Sequence, residues 1–348
     1  MPVYEIDPLT DPRWDKVTLC HPNSSIFHSS GWLRALQVAY GYQPIAYTLS
    51  PPDSDITNAI VFCRVCSWAT GRRLVSLPFA DHCEPLVSRD EDIIEILGHA
   101  CRTAATEGFR FVEIRPVAPK SLDFVASARF GINETFTFHR VDLRPAVDDL
   151  FRSFHKDCIQ RKIRRAEREC LEHQEGRSER FLRVFFDLLV KTRRKHRIPP
   201  QPITWFRDLA NCFGERLQVR IALKGHCPVA AIMTLTWNNT LVYKYGCSDP
   251  AFNNLGGTPL LFWKAIQSAK AAGLSWFDLG RSDCDNPGLV SFKDHWGATR
   301  TALSYWRHPA PERRPLRAGW KRLAGQLFKR LPDPILVTAG KVLYRHMG

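Results

Sequence analysis

The stretch Asn253–Ala298, NNLGGTPLLFWKAIQSAKAAGLSWFDLGRSDCDNPGLVSFKDHWGA, decides how the rest of the chain is read. Gly256 and Gly257 open it, apolar residues then recur at helical spacing (Leu260, Leu261, Trp263, Ala265, Ile266, Ala269), and Gly273 follows a lysine-bearing turn. That pattern predicts a helix of about four turns. Thr258 as N-cap and Pro259 in the first helical position would start it. Leu274-Ser275-Trp276-Phe277-Asp278-Leu279 is short and aromatic, which predicts a buried strand. Sharp turns are expected through Gly280-Arg281-Ser282-Asp283 and Asp285-Asn286-Pro287-Gly288, after which the chain presents Phe292-Lys293 and Trp296-Gly297 in a loop. A strand that ends in polar residues places them at the carboxyl edge of a sheet, where open α/β sheets bind ligands.

Working back from this stretch, the first 145 residues alternate helix and strand patterns: a helix after Trp32 ending at Gly41, a hairpin from Tyr42 to Ala69, a short strand at Leu74–Leu77, a helix from Glu91 to Gly108, and strands at Phe109–Arg115 and Phe136–Leu143. Residues 146–300 repeat that rhythm. Val147–Glu172 reads as a basic helix, Glu179–His196 and Ile203–Phe213 as two more, and Leu217–Leu223, Val229–Trp237 and Thr240–Cys247 as a meander. Thr301–Arg307 supplies a last strand.

The chain has 348 residues, 44% of them hydrophobic, with 10 Trp and 21 Phe, enough for two real cores and far from the composition of a disordered protein. No apolar run reaches the roughly 18 residues of a transmembrane helix and the first residues do not begin a signal peptide, so a cytoplasmic protein is expected. Eleven scattered cysteines then imply reduced thiols. Cys63-x-x-Cys66 is the only close pair, on a strand that points the two apart, and no metal site is expected from it. The net charge of +14 is concentrated. Residues 151–200 hold fifteen Lys/Arg against seven Asp/Glu, and residues 311–348 hold nine against two. Two basic surfaces of that kind meet something anionic.

The Asn253–Ala298 run resembles the C-terminal half of the Fem-type (FemAB-like) aminoacyltransferases and their relatives among exopolysaccharide-locus acyltransferases, members of the GNAT superfamily. Asp278, Gly280, Arg281, Ser282, Phe292, Lys293, Trp296 and Gly297 carry the likeness. FHSSGW (27–32), SLPFADHCEPLV (76–87) and KTRRKHRIPPQPITWF (191–206) are similar to further family segments, in the family's order. The resemblance implies an α/β (α+β) protein of tandem GNAT-like domains with mixed, largely antiparallel sheets. The first would span 1–145, the second 146–308 with the site, and a basic amphipathic tail 309–348.

Lys293 is the first catalytic candidate, because a lysine leaving a sheet edge can stabilise charge that develops in acyl transfer, a place the resemblance also implies. The competing reading is a solvated surface lysine. As a charge aimed at a reacting centre, Lys293 would be removable at little cost in melting temperature. Arg281 can clamp a carboxylate or phosphate, or merely pair with Asp278 or Asp283. Asp283 is a candidate base, although Asp-rich turns mostly cap the backbone. Phe292, Ser282, Trp296, Tyr243 and Tyr245 are substrate-binding candidates, the two tyrosines sharing one strand face, and Asp81 and His82 in the proline-bounded loop join them. Cys83 beside His82 suggests thiol chemistry only weakly, since adjacent residues seldom face each other. Asn254, Gly256, Gly257 and Thr258 stand where acyl-CoA-dependent GNAT proteins keep a glycine loop for a pyrophosphate, but with adjacent glycines, no leading basic residue and one N–H lost at Pro259.

The basic run Lys156–Arg168 could grip a carrier pyrophosphate, nucleic acid or membrane, or be a solvated face paired with Glu167, Glu169 and Glu172. The tail's stripe Leu316, Trp320, Leu323, Leu327, Phe328 and Leu331 suits either an anionic membrane interface or docking on the body. The expectation is an N-acyltransferase moving an acyl or aminoacyl group to an amine on a cell-envelope or exopolysaccharide precursor, with acyl-CoA or aminoacyl-tRNA as co-substrate and no permanently bound cofactor or metal. A catalytically silent GNAT-fold scaffold in a polysaccharide or membrane assembly is the alternative. A nucleic-acid module has only the basic run in its favour.

Overall fold

Each half of the chain builds a three-strand antiparallel meander, then a helix, then a strand that returns parallel to the third. A computed structural model of the chain describes residues 2–117, 129–311 and 332–347, which fall into two compact units. One is built from residues up to 138 with 301–311 and 343–347, the other from 139–300 and 332–342. In the first, β2 (Gln43–Thr48), β3 (Ile60–Ser67) and β4 (Gly71–Val75) run antiparallel. The helix Asp90–Thr106 then crosses to β5 (Val112–Ile114), parallel to β4 with Leu74 opposite Val112. β1 (Tyr4–Ile6) pairs on the outside of β2, and β12 (Thr299–His308) pairs antiparallel with β5. β6 (Gly131–Asp142) follows β12 in the strand order. The core sets Ile45, Tyr47, Ile60, Phe62 and Leu74 against Ile93, Ile96, Leu97 and Ala100 of the helix.

In the second unit the meander is β8 (Leu217–Lys224), β9 (Cys227–Trp237) and β10 (Thr240–Ser248), with β7 (Glu172–Gly176) outside β8. The helix Gly257–Ala271 crosses to β11 (Trp276–Asp283), parallel to β10 with Thr240 opposite Trp276. β9 is buried almost throughout because helices cover both its faces, which makes it read as a continuous apolar run. Leu260, Leu261, Ala265 and Ile266 of the crossover helix pack on one face. On the other, Phe185 of the helix Glu179–Lys195 packs edge-on to Phe206 of the helix Ile203–Phe213, which in turn meets Tyr245. Each leucine, isoleucine or phenylalanine fully buried in this way stabilises the unit by about 1.5–3 kcal/mol.

The expected basic helix Val147–Glu172 is broken. Val147–Ser153 is helical, Lys156–Gln160 makes one π turn, Arg161–Arg168 resumes the α-helix, and Glu172 begins β7. Phe154 and Ile159 are both buried in the core, and their spacing of five residues suits a π turn that keeps both inward. The tail's predicted stripe lies on residues 316–331, outside the described residues. Beyond it a helix spans Asp333–Tyr344, with Asp333 paired to Arg194 in the second unit, and Tyr42 donates its hydroxyl to the Tyr344 carbonyl at 3.2 Å in the first. No described helix is long and apolar enough to cross a membrane.

Candidate active site

The two crossover helices start differently in the charge of their first turns. The Asp90–Thr106 helix carries Asp90, Glu91 and Asp92 in its first turn, carboxylates that already satisfy the positive end of the helix dipole. The Gly257–Ala271 helix has no acidic residue there and no side-chain cap, and its first backbone bond runs from the Leu260 N–H to the Gly256 carbonyl at 3.0 Å. Gly256, and not Thr258, is the N-cap, so the helix begins earlier than its sequence suggests. The reason is backbone geometry: Gly256 sits at φ +80°, and a Cβ there would lie 2.3 Å from the Lys162 carbonyl oxygen. Only glycine fits, and its use brings the helix start against the basic Arg161–Arg168 helix.

A cavity of about 360 Å³ opens at this helix start, lined by Lys162, Ser248, Asn253, Gly257, Thr258 and Phe292 among others. Lys162 is exposed, so its ammonium adds a mobile positive charge to the fixed partial charge of the backbone amides. Asn253 accepts the Ser248 hydroxyl at 2.9 Å, which fixes the loop into the helix. Asn254, the expected contact, is exposed and does not line the cavity. Of the lining residues, Ser248 and Asn253 were not among the named candidates, and Lys162 was included only through the basic run expected to grip an anion such as a carrier pyrophosphate. The basic run containing Lys162 was the visible signal, but its place beside Gly256 depends on tertiary packing.

The strands beside the cavity diverge. β10 and β11 share registered pairs at Thr240–Trp276, Leu241–Phe277 and Val242–Asp278, and beyond these β10 runs on with β9 alone as its registered partner. A register shift on β10 falls between Tyr243 and Tyr245, where Lys244 is the extra residue of a β-bulge. The bulge corrects the expectation that both tyrosines share a face. Tyr243 packs on Phe262 of the crossover helix at 4.7 Å between ring centres, whereas Tyr245 turns to the opposite layer and accepts the Trp205 indole N–H at 2.8 Å.

The end of β11 also differs from the expected turn. The strand continues through Gly280, Arg281 and Ser282 to Asp283, because Asp278 accepts the Gly280 N–H at 2.6 Å and glycine tolerates φ +69° there. Phe292 and Lys293 lie on a helix, Pro287–Asp294, and not in a loop; Asn286 caps it by accepting the Leu289 N–H. Lys293 is 3% exposed and donates to the carbonyls of Gly280 at 3.0 Å and Arg281 at 2.8 Å, so it is neither a solvated surface lysine nor a free loop cation. Arg281 is half-buried and Asp283 exposed at the strand end. Ser282 is buried with no hydrogen-bond partner for its hydroxyl among the described residues. Trp296 is fully buried and stacks on Phe262, with Phe292 edge-on to the same ring. Next to Lys293, Asp294 pairs with Arg300 and with His139 at 3.2 Å. Burial and the Lys293 charge lower the His139 pKa.

Asp81 and His82 belong to the first unit. The Asp81 carbonyl accepts the Tyr305 hydroxyl at 2.8 Å, and His82 packs edge-on to Phe27 and Phe138. Cys83 has a histidine neighbour, but it is His28, 3.3 Å from the sulfur, which sequence reasoning missed. The pair is chemically quiet. Burial raises the Cys83 thiol to about 12 and lowers His28 to about 4. His28 Nε2 donates to the Glu84 carbonyl at 2.8 Å and Nδ1 accepts the Ser25 N–H, so the ring has no lone pair to take the thiol proton.

Residues 152–293, the stretch that holds the cavity and Lys293, match the acetyltransferase (GNAT) domain model. Over most of its length the chain shares the fold of tandem GNAT and Fem-type structures. It is similar to the crystal structure of FemX, at 13% identity and a TM-score of 0.71, over 94% of this chain and 100% of that one. It is also similar to a tandem GNAT protein from the clavulanic acid biosynthesis pathway (11% identity, TM-score 0.56, 90% and 100% covered). L-PGS from Bacillus licheniformis is a further neighbour (13%, 0.53, 94% and 99%). No curated protein matches the chain in sequence.

Proposed function

We propose that the chain is an N-acyltransferase whose donor binds at the start of the Gly257–Ala271 helix. The observation that carries this reading is the uncapped Gly256–Gly257 helix start, opening on the cavity with Lys162 beside it and with β10 and β11 diverging next to it. Backbone amides at a helix start, backed by one cation, suit a diphosphate, which favours acyl-CoA as donor over aminoacyl-tRNA. The acceptor is an amine on a cell-envelope component, a reading supported by the likeness to FemX.

In the reaction the amine nitrogen attacks the donor carbonyl carbon, the oxyanion of the tetrahedral intermediate collapses, and the carrier thiolate leaves. Asp283, exposed at the end of β11, takes the amine proton. Lys293 positions the site by holding the Gly280 and Arg281 carbonyls, which fixes the backbone that carries Arg281 at the strand end. Arg281 then meets the anionic part of the acceptor. Phe292 and Tyr243 form the apolar surroundings of the acyl group.

The experiment incubates the purified chain with labelled acyl-CoA and aminoacyl-tRNA pools and amine acceptors. The expected result is acyl loss from the CoA pool with formation of an amide. Loss from the tRNA pool would replace the donor assignment. Binding of both pools with no transfer would overturn the enzymatic reading in favour of a scaffold.

A further inference from the structure

Among the described residues, three metal-ligating side chains converge at one place that the acyl-transfer reading does not use. His155 opens the π turn Lys156–Gln160, Cys158 lies within it, and His295 caps the end of the Pro287–Asp294 helix. Their ligand atoms all lie within 4.8 Å of one another. We propose that His155, Cys158 and His295 bind a zinc ion, with solvent in the fourth position.

The ligand set is the first argument. Two imidazoles and one thiolate suit a borderline-soft divalent ion, and three protein ligands leave a tetrahedral zinc with one open position. Tetrahedral zinc, at about 2.0–2.1 Å from nitrogen and 2.3 Å from sulfur, holds its ligand atoms about 3.3–3.6 Å apart. The present separation therefore closes by small side-chain rotations. His155 is exposed, and Cys158 and His295 are half-buried, so an ion reaches the site from solvent without opening the core.

The backbone is the second argument, because it already joins the elements the ion would join. The His155 N–H donates to the His295 carbonyl at 2.9 Å, and the two rings lie 4.4 Å apart. His155 Nδ1 accepts the Cys158 N–H at 3.2 Å, a long bond that gives way when the lone pair turns to a metal. The π turn is the local device that brings His155 and Cys158 together, and π turns recur at functional sites. Binding deprotonates the Cys158 thiol, its proton passing to solvent, and the thiolate offsets one charge of the ion.

The site sits between the two elements that supply Lys162 and Phe292 to the cavity. Lys162 follows Cys158 by one turn, and Phe292 lies one turn before His295. A bound ion would staple the two elements and fix the width of the cavity, although the site itself stands independently of the acyl-transfer reading.

The test uses the full chain without an affinity tag, stripped by a chelator and titrated with zinc against a chromophoric competitor. The expected result is one equivalent bound, with affinity at least about 100-fold lower in both Cys158→Ser and His295→Asn. Cobalt in place of zinc should give a thiolate charge-transfer absorption that Cys158→Ser removes. Zinc should raise the melting temperature of the parent chain and not that of the variants. Cys158→Ala serves where the serine variant melts early without metal. Five exposed cysteines, Cys20, Cys66, Cys170, Cys227 and Cys284, remain in every variant as a measure of adventitious binding. No uptake by the parent chain, or equal affinity in parent and variants, would overturn the site.

Discussion

Replacing Lys293 by methionine is the most informative single perturbation, since the structure reverses what a loop lysine would do. The ammonium is buried and donates to two carbonyls, at 3.0 Å and 2.8 Å. Methionine keeps the length of the side chain but strands both acceptors, each at about 1–3 kcal/mol. Relief of the cost of burying an ammonium offsets part of this, leaving a net loss of about 2–4 kcal/mol. For a unit of this size about 2–4 °C of melting temperature goes with each kcal/mol, so the fall should be about 5–15 °C. Differential scanning calorimetry of the parent and Lys293→Met reads it directly. Asp283→Asn, at an exposed position, is the control, with an unchanged melting temperature and a loss of transfer rate. A melting temperature for Lys293→Met within about 1–2 °C of the parent would refute the reasoning that Lys293 holds the strand end, and would restore the reading of a charge that contributes only to catalysis.

Gly256→Ala should lose at least about 1 kcal/mol from its positive φ alone, and more from the collision with the Lys162 carbonyl; calorimetry checks the stability and acyl-CoA titration the weakened donor binding. Lys162→Ala should weaken donor binding and its salt dependence with no change in melting temperature, because the side chain is exposed, and binding at several ionic strengths tests it. Tyr245→Phe should cost about 1 kcal/mol of stability by orphaning the Trp205 indole while leaving donor affinity unchanged, measured by melting and by titration. His28 is held neutral in the fold with a pKa of about 4 against 6.5 when free, so its contribution is complete above pH 6.5 and fades as pH falls toward 4. Between pH 7 and pH 5 the parent should lose about 2 kcal/mol more stability than His28→Gln, which paired denaturation curves at the two pH values would read.

Much of the second unit was legible because its signals are local. The apolar period from Leu260 to Ala269, the aromatic strand at Trp276 and the meander before them depend on neighbours in sequence, and each was found within a few residues of its place. What escaped depends on contacts between distant segments. No local pattern marks the extra residue at Lys244, yet the bulge sends Tyr245 to the other face. Gly280 reads as a turn residue and becomes a strand residue because Asp278 holds its N–H. Lys293 reads as a loop lysine because Asn286-Pro287-Gly288 signals a turn, and the same residues instead cap a short helix. His28 and Cys83 lie in separate motifs that only folding brings together, as do His155 and His295. The cavity wall at Lys162 needed both a π turn and a glycine with positive φ, neither of which composition reveals.

The acidic first turn of the Asp90–Thr106 helix has a consequence for dose. Two copies of one folding pattern suggest two equivalents of donor per chain, but three carboxylates where a diphosphate would sit repel the ligand as firmly as bare amides attract it. An isotherm should therefore saturate at a single equivalent.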